Sequence, residues 1–132
     1  MSFVSEAENP LVLPANLSPA EVLAAVVKAL EDKKAVDVVT LDLAGRTPLA
    51  DFMVIATGNS DRQVKALADA VEEATRDMGI KGMRPEGLTT CHWVLMDLGD
   101  VIVHLFLPEA RQFYNLEKLW TAPASEAFEA DQ

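Results

Sequence analysis

Apolar residues recur along this chain with two different periods, and the changes from one to the other mark out its elements. Val22, Leu23, Val26, Val27 and Leu30 repeat at the spacing of one helical face. "SPAE" at 18–21 supplies the start, with Ser18 to cap, Pro19 for the first helical position and Glu21 to close a capping box. The pattern predicts a helix over about 18–33, and then the period drops to two. "VDVVTLD" (36–42) and "DFMVIATG" (51–58) read as strands, broken apart by Gly45 and Pro48 and paired antiparallel. Helical spacing returns with Val64, Leu67, Ala68, Val71 and Ala74, opened by Ser60 with Gln63 as its reciprocal partner and closed at Gly79. A short strand around Met83–Glu86 is expected to complete a right-handed strand–helix–strand crossover over 51–86.

The segment "EGLTTCHWVLMDLGDVIVHLF" (86–106) reads as a hairpin with a two-residue loop at Leu98 and Gly99. In that register Asp97 faces Asp100, Leu95 faces Ile102 and Trp93 faces His104 on one side of the sheet. Met96, Val94 and His92 face Val101, Val103 and Leu105 on the other. After Pro108, "EARQFYNLEKLW" (109–120) carries Phe113, Leu116, Leu119 and Trp120 on a helical or broken-helical stripe. No internal repeat is visible. The fold class is α/β: one domain over 18–120, with a mixed sheet and flanking helices, between a flexible segment at 1–17 and a flexible acidic tail at 121–132 that has little to bury.

Composition narrows the function. A chain of 132 residues, half of them hydrophobic, is long enough for one real core. Its apolar runs, such as "FMVIA" and "VIVHLF", are far shorter than the roughly 20 residues a membrane helix needs. The first 19 residues hold no Lys or Arg, unlike a secretory or organellar leader, so a cytoplasmic location is expected. The net charge of −10 disfavours a broad phosphate-gripping surface. Half of that charge sits in the tails, as Glu6, Glu8, Glu126, Glu129 and Asp131, so the domain itself is only mildly acidic and suits a basic protein partner.

Three candidate sites compete. A metal site would need His92 and His104 to converge, but the hairpin puts them on opposite faces, and Cys91 with two histidines is one ligand short of a closed zinc site. Asp97 and Asp100 alone are too few for calcium. The loop from Gly58 to Arg62, a strand end followed by a helix start, is a potential anion cradle resembling the glycine–serine turn of nucleotidyltransferases. That chemistry also needs metal-holding carboxylates on the next strand, where "MRPEG" offers only Glu86. Ser60 serves better as a cap than as a nucleophile, so an enzyme is not expected. The third candidate is aromatic. Phe106 and Phe113 read as core, whereas Trp93, Tyr114 and Trp120, each with an apolar body and a polar handle, suit an interface centre. With Asp97, Asp100, Arg111 and Glu117 nearby, they form the best candidate for a protein-binding patch, and His104 would order it.

"EDKKAVDVVTLDL", "LADFMVIATGNSDRQVKALADAVEEA", "HWVLMDLGDVIVHLF" and "PEARQFYNLEKLW" together resemble the ribosomal silencing factor family, also called Iojap-like proteins. The likeness spans about 20–120, and "DxGDVxVHxF" with "RxFYxLExLW" is its most specific part. The chain departs from the family in having Met53 where an aromatic is common, and Leu98 where an aromatic often precedes the turn glycine. The resemblance implies a nucleotidyltransferase-like core without catalytic carboxylates, and no cofactor. It further implies binding to the large ribosomal subunit through ribosomal protein fourteen (uL14), at the face where the small subunit docks, so that joining is blocked and translation is repressed when nutrients are scarce. No dedicated nucleic-acid site is then expected, although ribosomal RNA would lie nearby. Two other readings stay open at this point: a nucleotide-dependent enzyme using Gly58–Arg62, and a homodimer formed through the aromatic patch and an exposed hairpin edge.

Overall fold

The structure is a computed structural model and describes residues 10–114. It contains helix α1 (Pro19–Asp32), strands β1 (Val36–Asp42) and β2 (Phe52–Thr57), helix α2 (Asp61–Asp77), strands β3 (Trp93–Asp97) and β4 (Val101–Phe106), and helix α3 (Pro108–Tyr114). Both long helices begin as their caps dictate. Ser18 Oγ accepts from the Glu21 amide at 3.2 Å while Glu21 reaches back to the Ser18 amide at 2.9 Å, so two orphan donors are satisfied at once. Ser60 Oγ likewise accepts from the Gln63 amide at 3.1 Å. The Gln63 side chain departs from the expected reciprocal bond: its oxygen takes the Asn59 amide at 2.7 Å, and its nitrogen donates to the Lys34 carbonyl at 3.0 Å. It thereby ties the start of α2 to the connection between α1 and β1.

The sheet has the order β1-β2-β4-β3, with β2 and β4 parallel at its centre and antiparallel pairs on either side. Thr57 lies beside Phe106 and Phe52 beside Val101. The crossover from β2 through α2 therefore returns to β4, and not to a strand at 83–86. That segment forms no strand: Glu86 alone makes an isolated bridge to Leu95. Pro85 has no amide to give a ladder, and Gly87 does little to hold one.

Alternation sorts the strand residues onto two faces. Val54 and Ala56 of β2, Val94 and Met96 of β3, and Val101, Val103 and Leu105 of β4 are buried with Val22, Val26 and Leu30 of α1 and Val64, Leu67, Ala68 and Val71 of α2. Each such Val, Leu or Met side chain stabilises the fold by about 1.5–3 kcal/mol through loss of apolar surface to water. The other face holds a smaller cluster, Leu41, Leu43, Met53, Ile55 and Phe106, with Trp93 and Ala110 packed against it. No helix among the described residues is long and apolar enough to cross a membrane.

Candidate functional site: the open face of the hairpin

The hairpin is present, with its turn one residue later than the sequence pattern placed it. Leu98 donates to the Val101 carbonyl at 2.9 Å, so the two-residue loop is Gly99–Asp100, and Trp93 lies opposite Phe106, Leu95 opposite His104 and Asp97 opposite Ile102. Leu98 is an apolar side chain only 1% exposed, and burying it extends the ladder by one pair. Gly99, at φ +88, takes the left-handed place at the start of the turn. The change moves every pair but no side chain to the other face, because both registers match odd-numbered with even-numbered residues. Trp93, Leu95 and Asp97 still share a face with Ile102, His104 and Phe106.

On that face three rings meet. Trp93 and Phe106 have centroids 5.3 Å apart, Trp93 and His104 5.8 Å, and His104 and Phe106 6.1 Å with planes 8° from parallel. Trp93 Nε1 donates to His104 Nδ1 at 2.9 Å. An imidazole nitrogen accepts only when it carries no proton, so the bond selects the neutral ring with its hydrogen on Nε2. Burial acts in the same direction: His104 is 6% exposed, and loss of water holds its pKa down at about 4. Phe106 belongs to the core, as its size predicted, while Trp93 is half-buried.

The carboxylates lie at the opposite end of the hairpin, about 13 Å along the strand from Trp93 at the usual rise per residue. Both are exposed. Asp97 Oδ1 accepts from the Gly99 amide at 2.9 Å, an Asx-type closure of the turn. Asp100 contributes its carbonyl, which accepts from the Asp51 and Phe52 amides at 2.8 and 3.0 Å and ties the turn to the start of β2. Arg111 is placed by α3 at the Trp93 end. Its Nη1 donates to the Asp37 carbonyl and, at 2.8 Å, to Thr57 Oγ1, fastening α3 to the irregular start of β1 where Asp37 has φ +51. Tyr114 closes α3 and its side chain lies outside the described residues, as do Glu117, Trp120 and the 121–132 tail. The sequence-derived patch is thus two ends of one hairpin, joined by the half-buried Leu95 and Ile102. Those two residues were not singled out, although their alternation with Trp93, Asp97 and His104 was the available signal.

The competing chemistries find little support in the geometry. In the Gly58–Arg62 loop, the Gly58, Asn59 and Arg62 amides that would help cradle an anion are already used. Gly58 donates to the Phe106 carbonyl, Asn59 to Gln63, Arg62 to Asp61 Oδ1, and Val64 to the Ser60 carbonyl. Asp61 also sets a carboxylate against the positive end of α2. Cys91 is buried with its Sγ on the Leu88 carbonyl, and burial pushes its thiol pKa up, away from the reactive thiolate. It precedes β3 in a turn, at φ +59, and not in the strand the sequence pattern gave it. His92 is exposed, apart from the buried His104, and among the described residues no three His, Cys, Asp or Glu side chains gather as a metal would need. The hairpin edge expected to be open is engaged at its middle, where Leu95 and Glu86 exchange two backbone bonds of 2.9 Å.

The profile of the family described as "Ribosomal silencing factor during starvation" matches residues 16–132. The chain belongs to the ribosomal silencing factor family. It is 46% identical over 104 residues to the ribosomal silencing factor of Halalkalibacterium halodurans, covering 79% of this chain and 89% of that protein. It is 43% identical over 105 residues to that of Zymomonas mobilis, covering 80% and 79%. A crystal structure of a Chromobacterium violaceum protein superimposes with a TM-score of 0.77 at 40% identity, over 81% of this chain and 89% of that one. The silencing-factor fold, a single α/β domain with a four-stranded mixed sheet, is therefore shared with solved structures.

Proposed function

We propose that this protein binds the large ribosomal subunit through uL14 and prevents the small subunit from joining, lowering translation when nutrients are scarce. One observation carries the choice of surface. The face of the hairpin away from α1 and α2 combines a half-buried tryptophan, held by a buried neutral histidine, with two exposed carboxylates on a turn tied to β2. An aromatic anchor with a fixed orientation and a charged rim is what a protein–protein contact uses for affinity and for steering. Acidic side chains at the rim suit a basic ribosomal protein and disfavour direct contact with RNA phosphates.

The reading as a binding protein, and not an enzyme, is supported by the engagement of the groups that could do chemistry. His104 Nδ1 is held by Trp93, Cys91 by the Leu88 carbonyl, and the Gly58, Asn59 and Arg62 amides by their own chain. Co-sedimentation with purified subunits tests the proposal. The protein should travel with the large subunit alone and should keep the two subunits apart when both are present. Equal recovery with the small subunit, or undiminished joining, would contradict it.

A further inference from the structure

The residues ahead of α1 are fastened on two sides, with Pro10 and Val12 against the turn after α2 and Leu11 and Leu13 over the hairpin turn. Val12 and Lys81 exchange two backbone bonds, of 2.7 and 3.0 Å, in an antiparallel bridge. The Pro10 carbonyl lies so close over Gly82 that a β-carbon there would collide with it. Further along, a β-carbon on Gly99 would stand 2.7 Å from Leu13 Cδ1 and 3.6 Å from Leu11 Cδ2, so these two side chains occupy the space above the hairpin turn. Leu11, Leu13 and Leu17 pack partly buried on the helix-side core, while Val12 between them is 51% exposed. The alternation is that of a strand, and one short extended segment joins the turn after α2 to the tip of the β3–β4 hairpin. Residues 10–15 precede the 16–132 span that matches the family profile.

We propose that Pro10–Leu17 is a strap that fixes the shape of the Gly99–Asp100 turn and thereby positions Asp97 and Asp100. A glycine in the left-handed region has the widest choice of backbone conformations of any residue, and side chains packed over it remove that choice. Leu11 and Leu13 are positioning residues: they fill the space that a side chain on residue 99 would take and act through the turn. The identity of the partner so addressed rests on the function proposed above, whereas the effect of the strap on the turn does not.

Val12→Pro removes the amide that bonds Lys81 while leaving the partly buried leucines in the sequence, and Val12→Thr keeps it. Amide hydrogen exchange is measured on the full chain, together with binding to large subunits. In Val12→Pro, exchange at Gly99 and at the Asp51 and Phe52 amides that bond Asp100 should rise by at least about tenfold, with Ala68 and Val71 in α2 unchanged. Binding should weaken in parallel, and Val12→Thr should match the parent. Leu13→Ala, which empties the space above Gly99 and keeps both bonds to Lys81, should give the same tip-selective acceleration. Unchanged exchange at the tip, or acceleration spread evenly through α2, overturns the strap. Selective acceleration with undiminished binding supports the strap and removes the tip from the docking surface. A parent protein that fails to bind large subunits overturns the proposed function, and the exchange result then decides the strap alone.

Discussion

On its helix side the sheet presents Val54, Ala56, Val94, Met96, Val101, Val103 and Leu105, all buried beneath α1 and α2. On the opposite side β3 and β4 present Trp93, Leu95, Asp97, Ile102, His104 and Phe106, a mixture of apolar, aromatic and ionisable groups that runs from the buried Phe106 to the exposed Asp97. The strands are the same and the backbone period is the same. What differs is that one face satisfies only packing, while the other also carries a buried histidine, bonded to a half-buried tryptophan, and carboxylates that nothing in the core requires. A buried polar group lowers stability unless it is matched, so its presence on one face only is informative. Substitutions at the packed sheet residues, α1 and α2 should therefore act on folding alone, whereas on the other face the exposed carboxylates should separate binding from folding.

The largest effect is expected from Leu67→Ala, deep between α2 and the sheet. It should lower unfolding free energy by about 3–4 kcal/mol in urea titration, while the protein that remains folded binds large subunits normally. A selective loss of binding there would erase the contrast between the faces. Next comes acid. His104 holds its folded pKa near 4, below the ordinary 6.5, so the unfolded chain takes up the extra proton first. The stability is full above about pH 6.5, falls as the pH drops toward 4 and levels off below, a loss of about 3 kcal/mol. The same urea titration repeated from pH 7.5 to 4 should show this step in the parent and not in His104→Phe.

Trp93→Ala follows, with an expected loss of about 2 kcal/mol or more in large-subunit affinity, measured by equilibrium binding. It also strips His104 of its donor, so melting should fall as well. Trp93→Phe keeps a ring and loses only the N–H, and should bind better than the alanine variant. The smallest effect on folding belongs to Asp100→Lys, whose turn is held through the backbone carbonyl. Its unfolding free energy should change by under about 0.5 kcal/mol while association slows and loses salt dependence in stopped-flow mixing. Asp97→Lys should cost somewhat more stability, because its carboxylate closes the turn on the Gly99 amide.

Much of this was legible in the residues, and the exceptions share a cause. The capping box at Ser18, the strands at 36–42 and 52–57 and the stripe of α2 are local signals, and each appears within a residue or two of its expected place. The parity of the hairpin faces also survived, since the alternation of 93–97 and 102–106 fixes it whatever the turn does. The turn itself was misplaced because Leu98 was read as loop, when burial pulled it into the ladder. The strand at 83–86 failed on Pro85, and with it the partner of the crossover. Leu11 and Leu13 were read as part of a flexible segment although their spacing of two is a strand signal; what they would lie against depends on Lys81 and Gly99, distant in sequence. Trp93 and His104 could be placed on one face, but that they lie within bonding distance depends on the register and on both rotamers, which the alternation does not set.

The most direct test of the account is a photo-crosslink from the hairpin tip. A photoreactive side chain at the exposed position 100, three residues from the exposed Asp97, is irradiated with purified large subunits and the adduct identified by mass spectrometry. The account predicts a crosslink to uL14 that is competed away by unlabelled parent protein. A crosslink to another ribosomal protein, or a uL14 adduct obtained only from a probe on the outer surface of α1 or α2, would contradict it.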